Sequence, residues 1–515
     1  MAGRRQGLPR RLGSSSAART VAVAVLIAAV FFVPLAITRL IDLDEGYYGL
    51  AAKLAFDGEV PYRDFFYLQT PLIPYVYGAW IQVFGASIYA TRALSLLLGL
   101  GLAALIARHV LARFGGRAWV ALLAVLGFAS TRLVAEWYVT TKTYALSTLL
   151  LFGAYMLLDR AAAERTPRRW LWAGLLLGLA VDVRLLFIAT APVFAWLLWK
   201  TEVTGRTRAV AHWAGGVGLG LLPSLILLAL SPERFLFGNI GWASTRSEGG
   251  LLGNFDQKLD ILGDLFSQPQ YVALVVLALV AVGWRLARHQ APPLAFWLAA
   301  ALGVASVLPT PTYTQYFSTT VPFLILTALE LIPLVAGAVA RSGDDRAGRL
   351  AAAATAAAAL LAVGFLYVGG RAIKDSVYVN SHETAFDLGK ISSADEVAEL
   401  IDARTDPGET VISFRPLYPF LSDARQVPGF ENDFAPVSAA MGGFSEQHAH
   451  DLKLITNADL ERLIRGREIG LVVAPVDTRF GWGEAGRPWD AIVAESGYAQ
   501  VADLDGVTIW ERPES

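Results

Sequence analysis

Residues 42–71 read DLDEGYYGLAAKLAFDGEVPYRDFFYLQTP and follow directly on the first long apolar segment of the chain. Asp42, Asp44 and Glu45 therefore fall where hydrocarbon gives way to water. The apolar residues after them recur at helical spacing, which predicts a short amphipathic helix lying in the membrane interface. Asp42 and Glu45 have the spacing of a capping box, and acids at a helix start are stabilised by the helix dipole. These carboxylates are therefore either helix caps or members of a functional site.

The composition is that of a membrane protein rather than of a soluble one. The 515 residues are 55% hydrophobic and 17% charged, with a net charge of -1, and the mean hydropathy is +0.48. Soluble domains carry more charge and few long apolar stretches. Because the chain has no cysteine, disulfides, thiolate metal sites and cysteine nucleophiles are excluded. A charge close to zero gives no bulk attraction to nucleic acid, so we expect no nucleic-acid partner.

Apolar segments recur from residue 21 to about residue 369. A membrane span needs about 20 such residues, and the pattern predicts roughly eleven spans. The basic, serine-rich residues 1–20 precede the first span, and no small-residue cleavage site follows it, so we predict an uncleaved span with a cytoplasmic N-terminus. Arg108, Arg113 and Arg117 place the next basic loop in the cytoplasm by the positive-inside rule. With this count, everything after residue 370 lies on the outer side.

Two further segments near the predicted outer boundary are unusual. Residues 170–199 are apolar with basic flanks but are interrupted by Asp182 and Arg184, which predicts a hairpin of two short helices with these two residues at its outer turn. Residues 255–266 carry an apolar stripe with acids opposite, which predicts a second interfacial helix.

Residues 371–515 change to the pattern of a soluble α/β domain. Ser393 and Glu396 have capping-box spacing, which predicts a helix that runs from there to about residue 403. Further helices are predicted at 459–464 and 489–495, and strands at 410–414, 470–475, 499–503 and 507–511. Helix-then-strand order favours a small sheet covered by helices. We find no catalytic motif in this part, so we expect a cap that shapes the substrate site or binds a partner.

The chain is therefore predicted to be mostly α-helical, with three parts. A cytoplasmic basic N-terminus (1–20) precedes a polytopic membrane helix bundle (21–370) that carries a large outer loop (42–85). A soluble α/β domain (371–515) follows on the outer face.

The predicted topology gathers acids, cations and tyrosines at the outer boundary. A transferase acting on a lipid phosphate needs this mixture, because a base must take a proton from an acceptor hydroxyl while cations hold the departing phosphate. Structural alternatives are that arginines snorkel, that Arg184 pairs with Asp182, and that tyrosines form an interfacial belt. The acid Glu330 lies within a span and has no assigned role. The gathered residues are Arg39, Asp42, Asp44, Glu45, Arg63, Gln69, Arg92, Glu136, Lys142, Asp182, Arg184, Arg246, Tyr313 and Tyr316.

Residues 42–114 resemble the GT-C glycosyltransferases, in particular the branch that contains the lipid A aminoarabinose transferase and the protein O-mannosyltransferases. The segments WLWAGLLLGLAVDVR (170–184) and YFSTTVPFLILTAL (316–329) are similar to that family as well, so the resemblance covers about residues 20–370. The features that carry it in the first loop are the acid pair Asp44-Glu45, Tyr48, Asp57-Gly58, Pro71-Leu72 before an aromatic helix, Phe84-Gly85 and Arg92.

The resemblance implies a donor sugar on a polyprenyl phosphate and an acid in the first outer loop that activates the acceptor. Asp44 is then the base, with Glu45 as the alternative. Relatives often have Lys where Gln69 stands and an acid about where Lys142 stands, so Glu136 is taken as the second acid. A divalent metal between Asp44 and Glu136 is left open as the only cofactor, without a ligand motif to support it. Acceptor or interface contacts are assigned to Tyr47 and Tyr48, and donor phosphate or lipid contacts to Arg63, Gln69, Arg92, Lys142, Arg184, Arg246, Tyr313 and Tyr316.

The sequence thus predicts an inverting glycosyltransferase of the plasma (inner) membrane. It would move a sugar from a polyprenyl-phosphate donor to a lipid, cell-envelope polysaccharide or protein acceptor on the outer side, with membrane lipid as a further partner. The alternatives are a transporter or flippase of a lipid-linked sugar, which favours charges within the spans and an internal repeat, and a non-catalytic envelope scaffold.

Overall fold

The computed structural model describes residues 14–161, 166–201, 205–245, 254–342, 344–382, 389–475, 488–504 and 506–513. Arg246 and the basic residues before position 14 lie outside this range. The α-helices of the first part are α1 Ser14–Thr38, α2 Leu43–Phe56, α3 Leu72–Phe84, α4 Ile88–Arg113, α5 Ala118–Ser130, α6 Arg132–Ala135, α7 Tyr144–Ala161, α8 Pro167–Val183, α9 Ala191–Thr201, α10 Arg206–Gly220, α11 Leu222–Leu230, α12 Pro232–Leu236, α13 Trp242–Thr245, α14 Phe255–Ser267, α15 Pro269–Leu286, α16 Leu294–Val307, α17 Val321–Leu329, α18 Leu331–Val339 and α19 Asp344–Ser381. Two 3-10 segments, Leu185–Thr190 and Thr314–Thr320, and a π-helical turn, Phe237–Gly241, join some of them.

Several of these helices are apolar enough to cross a membrane, as predicted. Among the described residues, five qualify by length and composition, and the pair α10 and α11, bent by 56°, forms a sixth candidate. Shorter apolar helices, such as α5 and α16, lie between them. The multi-pass helical fold is confirmed, whereas the count of about eleven spans and their orientation stay predictions.

Helix α8 packs along α10 and α7. Its close contact with α10 depends on glycine, because a Cβ on Gly174 would lie 2.0 Å from the backbone oxygen of Trp213. Small residues allow this approach of helix backbones in membranes. The predicted break is observed, since α8 ends at Val183 and Arg184 is extended, with φ -154° and ψ 115°. The hairpin stays a prediction. Helices α8 and α10 run parallel, with Gly174 against Trp213 and Gly178 against Val217, so the chain returns between them through α9.

Helix α2 begins where the acids predicted it, but its surroundings differ from the prediction. Residues 45–52 are all buried, because the short helix Leu417–Leu421 of the C-terminal part packs on α2. A Cβ on Gly46 would lie 2.5 Å from the Cα of Leu417, and one on Gly49 would lie 2.7 Å from the ring of Phe420. The prediction of an amphipathic interfacial helix is therefore wrong, and α2 lies between the membrane helices and the C-terminal part.

The C-terminal part contains the helices α20 Ile391–Asp402, α21 Leu417–Leu421, α22 Ala435–Met441, α23 Glu446–Asp451, α24 Asn457–Arg465 and α25 Trp489–Glu495, and the strands β1 Thr410–Ser413, β2 Arg425–Gln426, β3 Leu471–Pro475, β4 Ala499–Leu504 and β5 Val507–Glu511. The strand order is β2-β1-β3-β5-β4. Strand β1 is parallel to β2 and β3, and β5 is antiparallel to β3 and β4. Four strands lie within one residue of their predicted positions, whereas the two-residue β2 was not predicted.

One detail of the C-terminal prediction was wrong, and the domain boundary stays a prediction. Helix α20 begins at Ile391 without a side-chain cap, so Ser393 and Glu396 do not form a capping box at its start. The predicted boundary at residue 370 falls inside α19, which continues to Ser381.

One apolar cluster joins the loop 42–85 to the sheet of the C-terminal part. It contains Tyr47, Tyr77, Phe420 and Ile509, each at most 5% exposed. Burial of this apolar surface fixes the C-terminal part over the N-terminal end of α2. The acids of the first loop are thereby covered by residues that are distant in sequence.

Candidate active site

A cavity of about 220 Å³ lies between the start of α2 and the C-terminal part. Bundle and C-terminal residues both line it, and its walls mix acids, cations, amides and aromatic rings. The lining residues are Asp42, Leu43, Asp44, Tyr47, Tyr48, Leu68, Gln69, Lys142, Thr143, Tyr144, Arg184, Trp242, Tyr313, Gln315, Tyr316, Asn432, Asp433 and Phe434.

Lys142 holds the two aspartates at the start of α2. Its Nζ lies 2.6 Å from Oδ1 of Asp42 and 2.9 Å from Oδ2 of Asp44. Asp42 is the N-cap and accepts a hydrogen bond of 3.1 Å from the backbone N–H of Asp44. The side chain of Lys142 is 5% exposed, whereas that of Asp44 is 47% exposed. Asp44 is therefore the more accessible carboxylate, and Asp42 has the structural task.

Electrostatics favours the charged forms of Lys142 and Asp42. Burial alone lowers the pKa of Lys142, but Asp44 and Asp42 outweigh it and hold that pKa well above its usual range. Burial raises the pKa of Asp42, but Lys142 and Arg39 together lower it by more, so the net shift of this pKa is downward. The ring of Trp137 contacts two cations, since its centre lies 4.6 Å from Nζ of Lys142 and 4.3 Å from Cζ of Arg39. Such contacts stabilise cations in a desolvated place.

Arg184 supplies the second cation of the cavity. Its Nη1 donates a hydrogen bond of 2.9 Å to Oγ1 of Thr143, and its Cζ lies 4.5 Å from the ring centre of Tyr316 and 5.0 Å from that of Tyr144. The break after α8 turns this side chain toward the cavity, where it is 7% exposed. A guanidinium that stacks on aromatic rings can also bind a phosphate through two N–H groups.

Glu45 and Arg92 do not line the cavity, which corrects two of the predicted roles. Nε and Nη2 of Arg92 donate to the two oxygens of Glu45 at 2.9 and 2.6 Å. Glu45 also accepts from the backbone N–H groups of Asp42 and Thr141 at 2.9 and 3.0 Å. The remaining donors of Arg92 reach backbone oxygens at the end of α1 and just after it. The pair is fully buried, so it joins α2 to α4 and to the loop before α7.

Two other predicted residues are held elsewhere. Glu136 accepts a hydrogen bond of 2.7 Å from Arg132, and Arg63 pairs with the adjacent Asp64 at 2.7 Å with half of its side chain exposed. Neither lines the cavity. Among the described residues, no group of three or more histidines and acids could hold a metal ion, and the neighbour of Asp44 is Lys142 rather than Glu136. Arg246 lies outside the described residues.

The acid Glu330, which the sequence left unassigned, has a structural explanation. Its two oxygens accept hydrogen bonds from Arg113 at 2.9 Å and from Arg285 at 2.7 Å. The carboxylate therefore ties three helices together and does not mark a path through the bundle.

The structure thus brings together eight of the predicted residues: Asp44, Tyr47, Tyr48, Gln69, Lys142, Arg184, Tyr313 and Tyr316. Sequence reasoning missed the contribution of the C-terminal part, namely Asn432, Asp433 and Phe434. The available signal was the run FENDFAP (430–436), in which two acids stand among aromatic residues. Burial and the charge of Asp44 raise the pKa of Asp433 to about 7.

The predicted resemblance to the GT-C glycosyltransferases is confirmed, because a family model and solved structures are both similar to this chain. Residues 68–227 match the model of the dolichyl-phosphate-mannose-protein mannosyltransferase family. No curated protein is significantly similar to the chain in sequence.

Solved structures of the same fold extend the likeness to nearly the whole chain. ArnT from Cupriavidus metallidurans in the apo state has a TM-score of 0.61 at 15% identity, covering 96% of this chain and 97% of ArnT. ArnT bound to undecaprenyl phosphate gives 0.57 at 15% identity, covering 97% and 98%. The arabinofuranosyltransferase AftD from Mycobacteria gives 0.52 at 15% identity, covering 98% of this chain and 40% of AftD.

Proposed function

We propose that this protein is an integral-membrane glycosyltransferase that moves a sugar from a polyprenyl-phosphate donor to an acceptor, with inversion, in the cavity at the start of α2. The observation that carries the proposal is the cavity itself, which unites the accessible carboxylate of Asp44 with two buried cations, Lys142 and Arg184. The likeness to an ArnT structure bound to undecaprenyl phosphate supports a polyprenyl phosphate as carrier.

In the proposed reaction, an acceptor hydroxyl attacks the anomeric carbon of the donor sugar. Asp44 takes the hydroxyl proton, the new glycosidic bond forms, and the bond between the anomeric carbon and the phosphate oxygen breaks. The polyprenyl phosphate leaves with the electron pair, and its charge is stabilised by Arg184 and Lys142. Cations fixed before the reaction stabilise developing charge at little reorganisation cost. A single displacement at the anomeric carbon inverts its configuration.

The ion pair between Asp44 and Lys142 fits this scheme. Lys142 contacts both Asp42 and Asp44, so its cation is in place beside the base before the reaction, and Asp42 still holds it once Asp44 has taken the proton. Tyr313 and Tyr316, whose ring centres lie 5.6 Å apart, would line the donor side with Gln69. We propose further that the protein lies in the plasma membrane, with its N-terminus in the cytoplasm and the C-terminal part outside.

The test uses purified full-length protein and a panel of radiolabelled polyprenyl-phosphate sugars, and scores release of free polyprenyl phosphate with and without a membrane extract as the acceptor source. Wild type is compared with Asp44→Asn and with the control Asp57→Asn, which changes an exposed carboxylate at the other end of α2. Release that is lost in Asp44→Asn but kept in Asp57→Asn supports the transferase. Saturable binding of a donor without release would instead favour a transporter or a scaffold.

A further inference from the structure

The C-terminal part contributes a wall to the cavity through residues 432–434, and this wall differs in charge from the bundle side. The cations of the cavity, Lys142 and Arg184, come from the bundle, whereas the ionisable group that residues 432–434 add is Asp433. Asp433 is 8% exposed and Asn432 is 2% exposed. The polar groups of this wall are therefore placed inside the site rather than on the surface.

We infer that residues 432–434 form the acceptor-recognition element of the proposed transferase, and that they select an uncharged sugar or other polyol over a phosphorylated acceptor. This inference rests on the proposed function and adds the class of acceptor to it.

The first argument is the arrangement of hydrogen-bonding groups. Oδ1 of Asn432 accepts a hydrogen bond of 2.8 Å from the backbone N–H of Phe434, which fixes the orientation of the amide. Among the described residues, no acceptor is recorded for its Nδ2 group. A fixed amide donor next to a carboxylate suits neighbouring hydroxyls, each of which both donates and accepts. Sites built to hydrogen-bond a hydroxyl discriminate strongly against analogues that lack it.

The second argument is the aromatic surface beside these groups. The rings of Trp242 and Phe434 both line the cavity, with their centres 6.4 Å apart and their planes at 74°. Nε1 of Trp242 donates a hydrogen bond of 2.8 Å to Ser438 of the same C-terminal part, so the indole is held in place. Fixed apolar faces next to a few convergent polar groups are typical of small-molecule sites, and a sugar ring offers C–H faces and hydroxyl edges of this kind.

The third argument is charge. A phosphorylated acceptor that reached Asp44 from this wall would bring an anion between Asp44 and Asp433. Like charges at close range are unfavourable in a desolvated cavity. Asp433 also lines an adjoining crevice with Asp42 and Arg415. Because burial and Asp44 raise the pKa of Asp433 to about 7, its carboxylate carries this charge above that pH. The donor phosphate avoids this conflict because it would contact Arg184, a cation of the bundle.

The experiment measures binding, so that it does not depend on turnover. Full-length protein in nanodiscs at pH 8 is titrated with octyl glucoside and with octyl glucoside 6-phosphate, both below their micellar concentrations, by calorimetry. The variants are Asp433→Ala, Asp433→Asn and Asn432→Ala. The control is Glu431→Gln, which changes a neighbouring carboxylate that is equally buried but does not line the cavity.

We expect wild type and Glu431→Gln to bind the neutral glycoside and to bind the phosphorylated one at least about tenfold more weakly. Asp433→Ala and Asn432→Ala should weaken binding of the neutral glycoside by about tenfold, the loss of a substrate hydrogen bond. Asp433→Asn should reduce the discrimination against the phosphorylated glycoside. Equal binding of both glycosides by wild type, no binding of either, or equal losses in Glu431→Gln would overturn the inference.

A separate measurement distinguishes failure of the inference from failure of the proposed function. Release of polyprenyl phosphate is followed in the same preparations with the octyl glycosides as acceptors. If the neutral glycoside binds through residues 432–434 but no polyprenyl phosphate is released, the proposed transferase function is refuted and the proposed sugar site is supported. If release of polyprenyl phosphate is unaffected by Asp433→Ala, the proposed transferase function is supported and the proposed role of residues 432–434 in acceptor recognition is refuted.

Discussion

Replacing Glu45 by glutamine separates a structural role from a catalytic one, because Glu45 and Asp44 are adjacent but lie in different environments. Glutamine keeps the shape of Glu45 and removes its charge. The guanidinium of Arg92, which is 1% exposed, would then be left as a buried cation without its counter-ion. By contrast, Asp44→Asn leaves Lys142 its contact of 2.6 Å with Asp42.

The expected magnitudes differ accordingly. Loss of one partner of a buried ion pair costs about 3–5 kcal/mol of the free energy of unfolding, and the two backbone N–H groups that Glu45 accepts from would also bond to a weaker acceptor. The half-exposed Asp44 contributes to stability as surface ion pairs do, at most about 1 kcal/mol. Its loss should instead reduce the transfer rate by about 10²–10⁴-fold, the range for a general base.

The assay compares two readouts in the same detergent preparations. Unfolding is followed by the fluorescence of the 14 tryptophans against temperature, and transfer by release of polyprenyl phosphate. Glu45→Gln should unfold at clearly lower temperature, and the double variant Glu45→Gln with Arg92→Met should recover part of the loss, since no buried cation remains unpaired. A Glu45→Gln protein that is as stable as wild type and as inactive as Asp44→Asn would refute this reasoning and make Glu45 the base.

Three further outcomes follow from the structure. The pKa of Asp433 is raised to about 7, so between about pH 4 and pH 7 the folded state keeps a proton that the unfolded state has released. The free energy of unfolding should therefore fall by about 4 kcal/mol over this range. Asp433→Asn should flatten this part of the pH profile of unfolding, and an unchanged profile would contradict the raised pKa of Asp433. Gly46→Ala places a Cβ 2.5 Å from the Cα of Leu417 and should make the C-terminal part more sensitive to limited proteolysis, whereas the control Gly263→Ala meets no atom within 4 Å and should not. Lys142→Met should lower the transfer rate by about 10²-fold or more through loss of a phosphate-stabilising cation, and a loss confined to acceptor affinity would count against that role.

The helices of the bundle and the strands of the C-terminal part could be predicted because they depend on local patterns. Apolar length, turn residues and alternating helix and strand segments are all visible in the chain itself. The environment of each helix could not be predicted in the same way. Helix α2 was expected at a lipid surface because the sequence near residues 42–56 contains no pattern that indicates its contact with Leu417 and Phe420.

The acid cluster shows the same limit at the scale of single side chains. The spacing of Asp42 and Glu45 predicted the capping box that the structure contains. Which acid would also face the cavity depended on Arg92 and Lys142, which are 47 and 97 positions beyond Glu45 and therefore beyond any local pattern. Although Asp44 and Glu45 are adjacent in the sequence, Glu45 lies in a buried ion pair and Asp44 lies at the edge of the cavity.

The two departures from the GT-C pattern make sense together once both positions are seen to line one cavity. The resemblance implied a lysine at the position of Gln69 and an acid near that of Lys142, whereas here the lysine of this pair of positions is Lys142. Glu136, the second acid that the resemblance implied, pairs with Arg132 and does not line the cavity. Asp433 brings a carboxylate back into the cavity from the C-terminal part. If the site works as proposed, the acidic wall that faces the acceptor therefore belongs to a different part of the chain from the base, and acceptor choice can change without altering Asp44 or its two cations.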